Sequence, residues 1–282
     1  MKQVDITINC TNTALTNQNA THRIMKITTF NCNSIRARIP ALSQWLTDND
    51  PDIICLQETK VRDEDFPVGF FESAGYPHIA VRGQKSYNGV AIISRIPLHD
   101  ISRYLYQEGD EQARFISVSV AGLRLINVYV PQGFAVGSEK FDYKLKWMED
   151  LIAFVKESYT SQTPLIMAGD FNITKDERDI YDPDAFEGKV SCTDEERKLL
   201  SSLVSWGLTD LFRLHEEGGG HFTFWDYRVI NAFQRNIGWR IDYLFATEPV
   251  SNNCKKVHID KLSRLLPKPS DHAFVTAEID WD

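Results

Sequence analysis

The feature that most constrains this chain is a series of short, almost uninterrupted apolar runs that stop on polar residues. Residues 27–30 stop at Asn31, Ile53–Gln57 at Glu58, residues 123–130 just before Gln132, and residues 165–168 just before Asp170. The run 273–277 follows Ser270, Asp271 and His272. Residues 89–94, 116–120 and 241–246 are further runs of this kind. Runs so short, rich in β-branched side chains and apolar at nearly every position, read as strands covered on both faces. Ala121-Gly122 between two of them reads as a hairpin turn. Helical patterns alternate with the strands. Phe141, Leu145, Met148, Ile152 and Val155 recur at spacings of four and three, which puts them on one helical face. Residues 41–49 and Asp194–Trp206 read as further helices, the second capped by Thr193 or Asp194. Such a mixture implies an α/β layered fold.

Residues 1–24 differ from the rest. They are rich in Asn and Thr and poor in large apolar side chains, and they read as a disordered leader whose removal leaves folding and activity nearly unchanged. Residues 25–282 contain no linker. Glu216-Glu217-Gly218-Gly219-Gly220 is flanked by apolar patterns and reads as a surface loop, so one domain is expected. No apolar run approaches the ~20 residues that span a bilayer, and no secretory-signal order is present. Five cysteines without a C-x-x-C pair suggest neither a disulfide framework nor a zinc site. A monomer in the reducing cytoplasm is the expectation. The net charge of −8 argues against coating nucleic acid by bulk charge. It leaves room for an enzyme with a local basic face around an acidic, metal-filled centre.

Residues 51–58 and 164–170 echo each other: each starts at proline, runs as a buried strand and ends on a carboxylate. Two packed sheets of similar build would bring Glu58 and Asp170 to one rim. The polar residues at the strand ends suit phosphodiester hydrolysis. Glu58 and Asp271 offer hard oxygen ligands to a divalent cation. Asp170 can activate a water, while Asn172, His272 and Tyr129 can donate to developing charge on a phosphate. Taken singly, each has an ordinary reading as a cap, a satisfied histidine or core; Asp242 could simply pair with Arg240 or Arg235. The whole set, repeated at successive strand ends, points to a site.

The chain carries Asn31-Cys32-Asn33, Leu56-Gln57-Glu58-Thr59-Lys60, Asn127-Val128-Tyr129-Val130-Pro131-Gln132, Gly169-Asp170-Phe171-Asn172, Trp206-Gly207-Leu208-Thr209-Asp210, Gly238-Trp239-Arg240-Ile241-Asp242-Tyr243 and Ser270-Asp271-His272. In order and over nearly all of residues 25–279, this set resembles the exonuclease III family of abasic-site endonucleases, within the endonuclease/exonuclease/phosphatase superfamily. The resemblance implies a four-layered α/β sandwich of two packed mixed β-sheets flanked by helices. It implies a Mg²⁺ site, with Mn²⁺ as substitute, at Glu58 and Asp271 with Asn31, Asn33, Asp170 and Asn172 around it. Asp170 would activate the water, Asn172 would bond the transition-state phosphate, and His272, oriented by Asp242, would contact the scissile phosphate. Tyr129 and Gln132 would hold phosphate oxygens. Phe224, Trp225 and Ile241 would wall a pocket for a base-less sugar, with Phe224 and Trp225 partly exposed.

The implied partner is double-stranded DNA with abasic sites or blocked 3′ ends, and the implied work is base excision repair. Arg82, Lys85 and Tyr87, in one glycine-containing loop, are the best candidates for DNA contact; Arg228, Arg235 and Arg240 form another cluster. Asn33 stands where some members carry Asp, and the segments 133–138 and 189–192 fall in regions where members vary. Two alternatives share the superfamily: a member restricted to 3′-end processing, and a phosphatase of non-nucleic-acid phosphoesters, which should lack the aromatic pocket. A catalytically dead DNA-binding module is disfavoured because Glu58, Asp170 and His272 are all present.

Overall fold

A computed structural model describes residues 24–105 and 111–281. The expected leader lies outside the described residues, except Ile24, which opens the first strand. In chain order the strands are β1 (Ile24–Asn31), β2 (Ile53–Gln57), β3 (His78–Arg82), β4 (Val90–Ser94), β5 (His99–Ser102), β6 (Phe115–Val120), β7 (Leu123–Tyr129), β8 (Leu165–Asp170), β9 (Leu208–Asp210), β10 (Asp242–Thr247), β11 (Cys254–Asp260) and β12 (Phe274–Asp280). They form two six-stranded sheets, ordered β11-β12-β1-β2-β4-β3 and β5-β6-β7-β8-β10-β9. Within them β1 and β2 run parallel, as do β7 and β8, while the remaining neighbours are antiparallel.

Side-chain alternation along each strand sorts the core into three slabs. Ile53 and Cys55 of β2 meet Leu125 of β7 and Ile166 of β8 between the sheets. Ile54 and Leu56 face the other way, onto Leu42 and Trp45 of helix Ile35–Asp48. On the second sheet, Leu165, Met167 and Phe245 pack against Trp147, Met148 and Leu151 of helix Glu139–Ser158 and against Leu200 and Leu203 of helix Asp194–Trp206. The result is helices, sheet, sheet, helices, the four-layered α/β sandwich expected. Polar side chains also cross the inter-sheet slab beneath one rim: Gln57 Nε2 donates to Asn127 Oδ1 at 2.7 Å, and Asn127 Nδ2 donates to the carbonyls of Leu56 and Ala91. These bonds tie β2 to β7 in one register, although Gln57 Oε1 itself has no hydrogen-bond partner among the described residues.

Each apolar run read as a strand is an inner strand. The edges β3, β5, β9 and β11 were not legible because an edge is paired on one side only and need not be apolar throughout; β5 reads His-Asp-Ile-Ser and is largely exposed. The first helix starts at Ile35 rather than near residue 41, running through Pro40. Burial of Ile35 in the slab beneath offsets the hydrogen bond that proline cannot donate. The helix Asp194–Trp206 has the expected bounds, with Thr193 and Glu196 closing a capping box. No helix among the described residues is long and apolar enough to cross a membrane.

Candidate active site

The same alternation that builds the slabs aims the polar strand ends. On β1, β7, β8 and β10 the residues facing the other sheet include Ile27, Leu125, Ile166 and Leu244. Continuing each strand by twos arrives at Asn31, Tyr129, Asp170 and Asp242. Tyr129, Asp170 and Asp242 lie in one row across β7, β8 and β10, each in register with the next. Gly169 permits that row, since a Cβ there would fall 2.0 Å from the Val128 carbonyl oxygen. Two local turns repeat where the strands end. Asn33 N donates to Asn31 Oδ1 at 3.0 Å, and Asn172 N donates to Asp170 Oδ1 at 2.9 Å. Asn33, Asn172 and Glu58 all have positive φ, at 41°, 51° and 52°. Asparagine adopts this conformation readily, whereas Glu58 is a strained residue held at a functional position.

Asn31 joins the two carboxylates foreseen in the internal echo. Its Nδ2 donates to Glu58 Oε1 and to Asp170 Oδ2, each at 2.8 Å. Burial opposes ionisation of Glu58, yet Lys60, 2.8 Å from Oε2, and the bond from Asn31 hold its carboxyl below the usual carboxylate range. Lys60 also donates to Asn33 Oδ1, and Asn33 Nδ2 donates to Asp271 Oδ1 at 3.0 Å. Deeper in the rim, Asp170 and Asp242 face each other as like charges on paired strands. Burial and the Asp242 charge push the Asp170 carboxyl upward. His272 answers that repulsion: Nδ1 is 2.8 Å from Asp242 Oδ2, and Nε2 is 3.9 Å from Asp170 Oδ2. Burial disfavours its charged form, but the two carboxylates outweigh burial and push the imidazole up to about 10. The protonated ring is favoured, with Nδ1 donating to Asp242 Oδ2 and Nε2 turned toward Asp170 beyond hydrogen-bond distance. Burial and the Glu58 charge keep the Tyr129 hydroxyl protonated, and the guanidinium of Arg114 stacks 4.7 Å from its ring.

Above this floor opens a cavity of ≈ 400 Å³ whose walls include Gln132, Phe134, Phe224, Trp239 and Ile241. Trp225 is not among them. It is fully buried in a small cluster with Phe222, Ala232 and Ala273, its indole donating to Asn236 Oδ1 at 3.3 Å. Adjacent residues on an extended segment point oppositely, so Phe224 faces the cavity and Trp225 the core. The same rule identifies the aromatic residue that was overlooked: Trp239 is two positions from Ile241 and shares its face, a period-two signal legible in Gly-Trp-Arg-Ile-Asp-Tyr. Between them Arg240 turns inward and is buried with Asp179 and Asp210, so neither it nor Asp242 has the role of the simple ion pair considered above. Arg82 is also buried, over the ring of Tyr104, and does not present its charge to an approaching strand. Lys85 and Tyr87 are exposed, and Tyr87 lines a cleft of ≈ 520 Å³ that adjoins the main cavity at Gln132 and Phe134. Gln132 stands at the mouth of both and accepts from Phe134 N. Lys60, Arg114 and Phe134 join the site without having been singled out; a cation two residues from the strand-end Glu58 was the available sign for Lys60.

Ligand atoms of Glu58, Asp170 and His272 all lie within 4.8 Å of one another. The two carboxylates are chemically apt for a divalent cation, whereas a protonated imidazole has no lone pair to offer it. Asp271 lines the same cavity, but its Oδ1 receives bonds from Asn33 and Ser270. Asn172 uses its Nδ2 on the Val130 carbonyl and on Asp170.

The sequence profile of the Endonuclease/Exonuclease/phosphatase family matches residues 28–272. Exodeoxyribonuclease III of Haemophilus influenzae is 35% identical over 267 residues, covering 90% of this chain and 99% of that protein. Among solved structures, the 3′ phosphatase NExo of Neisseria bound to a product DNA hairpin is 42% identical with a TM-score of 0.87, covering 91% of this chain and 100% of its own. An AP endonuclease from Archaeoglobus fulgidus is 38% identical with a TM-score of 0.85, covering 91% of this chain and 99% of its own. With its two packed sheets and the row of acids at their common rim, the chain belongs to the endonuclease/exonuclease/phosphatase family of hydrolases, in the branch of exonuclease III and the abasic-site endonucleases.

Proposed function

We propose that this protein is a Mg²⁺-dependent DNA-repair phosphodiesterase that incises the backbone 5′ to abasic sites and removes nucleotides, phosphates or phosphodiesters from 3′ ends. The observation that carries this reading is the Asp170–His272–Asp242 row beside the Asn31–Glu58 pair, on the floor of a cavity walled by Phe224, Trp239 and Ile241. A base-less sugar turned out of the duplex has an apolar face that suits such a wall.

The residues divide the work as follows. Asp170 orients a water and takes its proton as the oxygen attacks phosphorus. The bond from phosphorus to O3′ breaks, leaving a 3′-hydroxyl and a 5′-phosphate. His272 Nε2–H and the Tyr129 hydroxyl donate to the non-bridging oxygens as charge builds on them. Asp242 keeps the imidazole charged and correctly turned. Glu58 and Asp170, with Asp271, Asn31, Asn33 and Asn172 around them, are the groups to hold the metal. A divalent cation held there would supply positive charge for a phosphate oxygen and for the departing O3′. Gln132 steadies the phosphate at the mouth.

The test is hydrolysis of three DNA duplexes, carrying an internal abasic analogue, a recessed 3′ end and a 3′-phosphate. Cleavage should vanish on chelation and return with Mg²⁺ or Mn²⁺; full activity in excess chelator would contradict the reading. A second reading, restriction to 3′ ends, is favoured by the likeness to the Neisseria 3′ phosphatase. Loss of the abasic-incision arm alone would select it.

The aromatic wall yields a paired expectation. Trp239→Ala should lower abasic incision about ten- to a hundred-fold, the scale of one lost apolar contact, with less effect on removal of a 3′-phosphate. Trp225→Ala should instead lower all activities together with the melting temperature, because it opens a void in the core. The reverse pattern in the two variants would exchange their roles.

A further inference from the structure

Lys144 stands on the apolar face of helix Glu139–Ser158, between Phe141 and Met148, where the period of that face calls for another hydrophobic side chain. Its side chain is fully buried, as is that of Glu196 from helix Asp194–Trp206, and the two form an ion pair. The Glu196 carboxylate has further partners of its own. Oε1 accepts from Ser191 N at 3.0 Å, and Oε2 accepts from Thr193 N at 3.1 Å and from Thr193 Oγ1 at 2.8 Å. The ammonium has three donors, and two of them reach past the pair to the rim. Nζ donates to the Asn172 carbonyl at 2.7 Å and to the Gln132 carbonyl at 3.3 Å. The stem of the side chain also packs under the loop that follows Gln132, since a Cβ on Gly133 would fall 3.0 Å from Lys144 Cδ.

A buried ion pair is seldom more stabilising than apolar side chains of the same volume. Methionine could fill the space of Lys144, yet it could not bond two carbonyls at once. Both carbonyls belong to residues that line the active-site cavity. Asn172 holds a positive φ of 51°, and its N–H donates to Asp170 Oδ1. Gln132 stands at the mouth of the cavity. We propose that Lys144 is a positioning residue for hydrolysis: from beneath the rim it locks the backbone of Gln132 and Asn172, and so fixes the spacing between the amide at the mouth and the hydrogen-bond partner of the Asp170 carboxylate. This inference rests on the proposed phosphodiesterase function. Gln132 and Asn172 serve the phosphate, which abasic, nucleotide and 3′-phosphate substrates share, so the effect of Lys144 is common to all three. Displacing such groups by about 1 Å slows a reaction on the order of a hundred-fold.

The test separates the charge pair from the carbonyl bonds, in the full chain. Glu196→Gln strips Lys144 of its counter-charge and leaves both carbonyl bonds; even an amine that sheds its proton keeps two donors for them. Lys144→Met/Glu196→Gln removes the carbonyl bonds as well, while the amide oxygen at position 196 still accepts from Ser191 N or Thr193 N. Both variants should melt below the parent, so rates are measured well below each midpoint. The folded fraction is counted by titration with a duplex carrying the abasic analogue, in chelator. Per folded molecule, Glu196→Gln should keep kcat within about three-fold of the parent on the abasic, recessed and 3′-phosphate duplexes. The double variant should lose about ten-fold or more in kcat on all three, with KM within about three-fold of the parent. Equal kcat in the two variants, or a loss confined to one substrate, would overturn the positioning role. If the parent protein cleaves none of the three duplexes, the phosphodiesterase reading itself fails, and this inference with it.

Discussion

Asp170→Asn and His272→Ala are each expected to reduce turnover by about three orders of magnitude or more while DNA affinity largely survives. Asp170 moves the proton of the attacking water, and His272 places a positive donor against charge that grows only as phosphorus is attacked. Groups that act on the transition state lower the rate rather than ground-state binding. Asp170→Asn also carries a stability signature. Burial and the facing Asp242 raise the Asp170 carboxyl, so its ionised form opposes folding at neutral pH in the metal-free protein. Asparagine removes that charge and can still accept from Asn172 N or from Asn31 Nδ2. Its melting temperature without metal should therefore equal or exceed that of the parent. A variant that loses rate, affinity and melting temperature together would show that Asp170 is structural.

The second large effect concerns Arg240. Its guanidinium is 1% exposed and binds Asp179 at 2.7 and 3.0 Å and Asp210 at 2.7 and 3.2 Å. It also lies 4.5 Å from the centre of the Tyr243 ring. Arg240→Leu leaves Asp210 buried without its cation and Asp179 with Arg213 alone. Breaking a buried ion pair from one side costs roughly 3–5 kcal/mol, which in a domain of this size lowers the melting temperature by about 10 °C. Activity should fall as well, because the two neighbours of Arg240 in sequence are Trp239 and Ile241 of the cavity wall. A thermal midpoint within about 2 °C of the parent would refute this account. The Asp of Trp206-Gly207-Leu208-Thr209-Asp210 thus has a structural reason to be where it is: it anchors the segment that carries the wall.

How far each feature was legible follows from how local its cause is. The inner strands and the helix Asp194–Trp206 could be read directly, because burial on both faces or one writes a short-range pattern into the chain. The strand-end placement of Asn31, Glu58 and Asp170 was equally visible, since a strand's last residues are neighbours of its apolar run, whereas Asp242 was read inside its run and opens β10. The echo between residues 51–58 and 164–170 even anticipated that Glu58 and Asp170 would share a rim, which Asn31 now bridges. Edge strands, by contrast, depend on a partner elsewhere in the chain. So does the difference between Phe224 and Trp225, adjacent aromatic residues whose roles follow from which face meets the core. Arg82 and Arg240 looked like surface cations because charge is read from composition, whereas their burial depends on Tyr104, Asp179 and Asp210 folding around them. By itself the sequence determined the layered class, the inner strands and the chemical inventory of the rim, all consequences of contacts close along the chain. Only the tertiary structure decided which aromatic residues wall the cavity, which arginines face water and how Asp242 holds His272, because those outcomes depend on segments brought together from far apart.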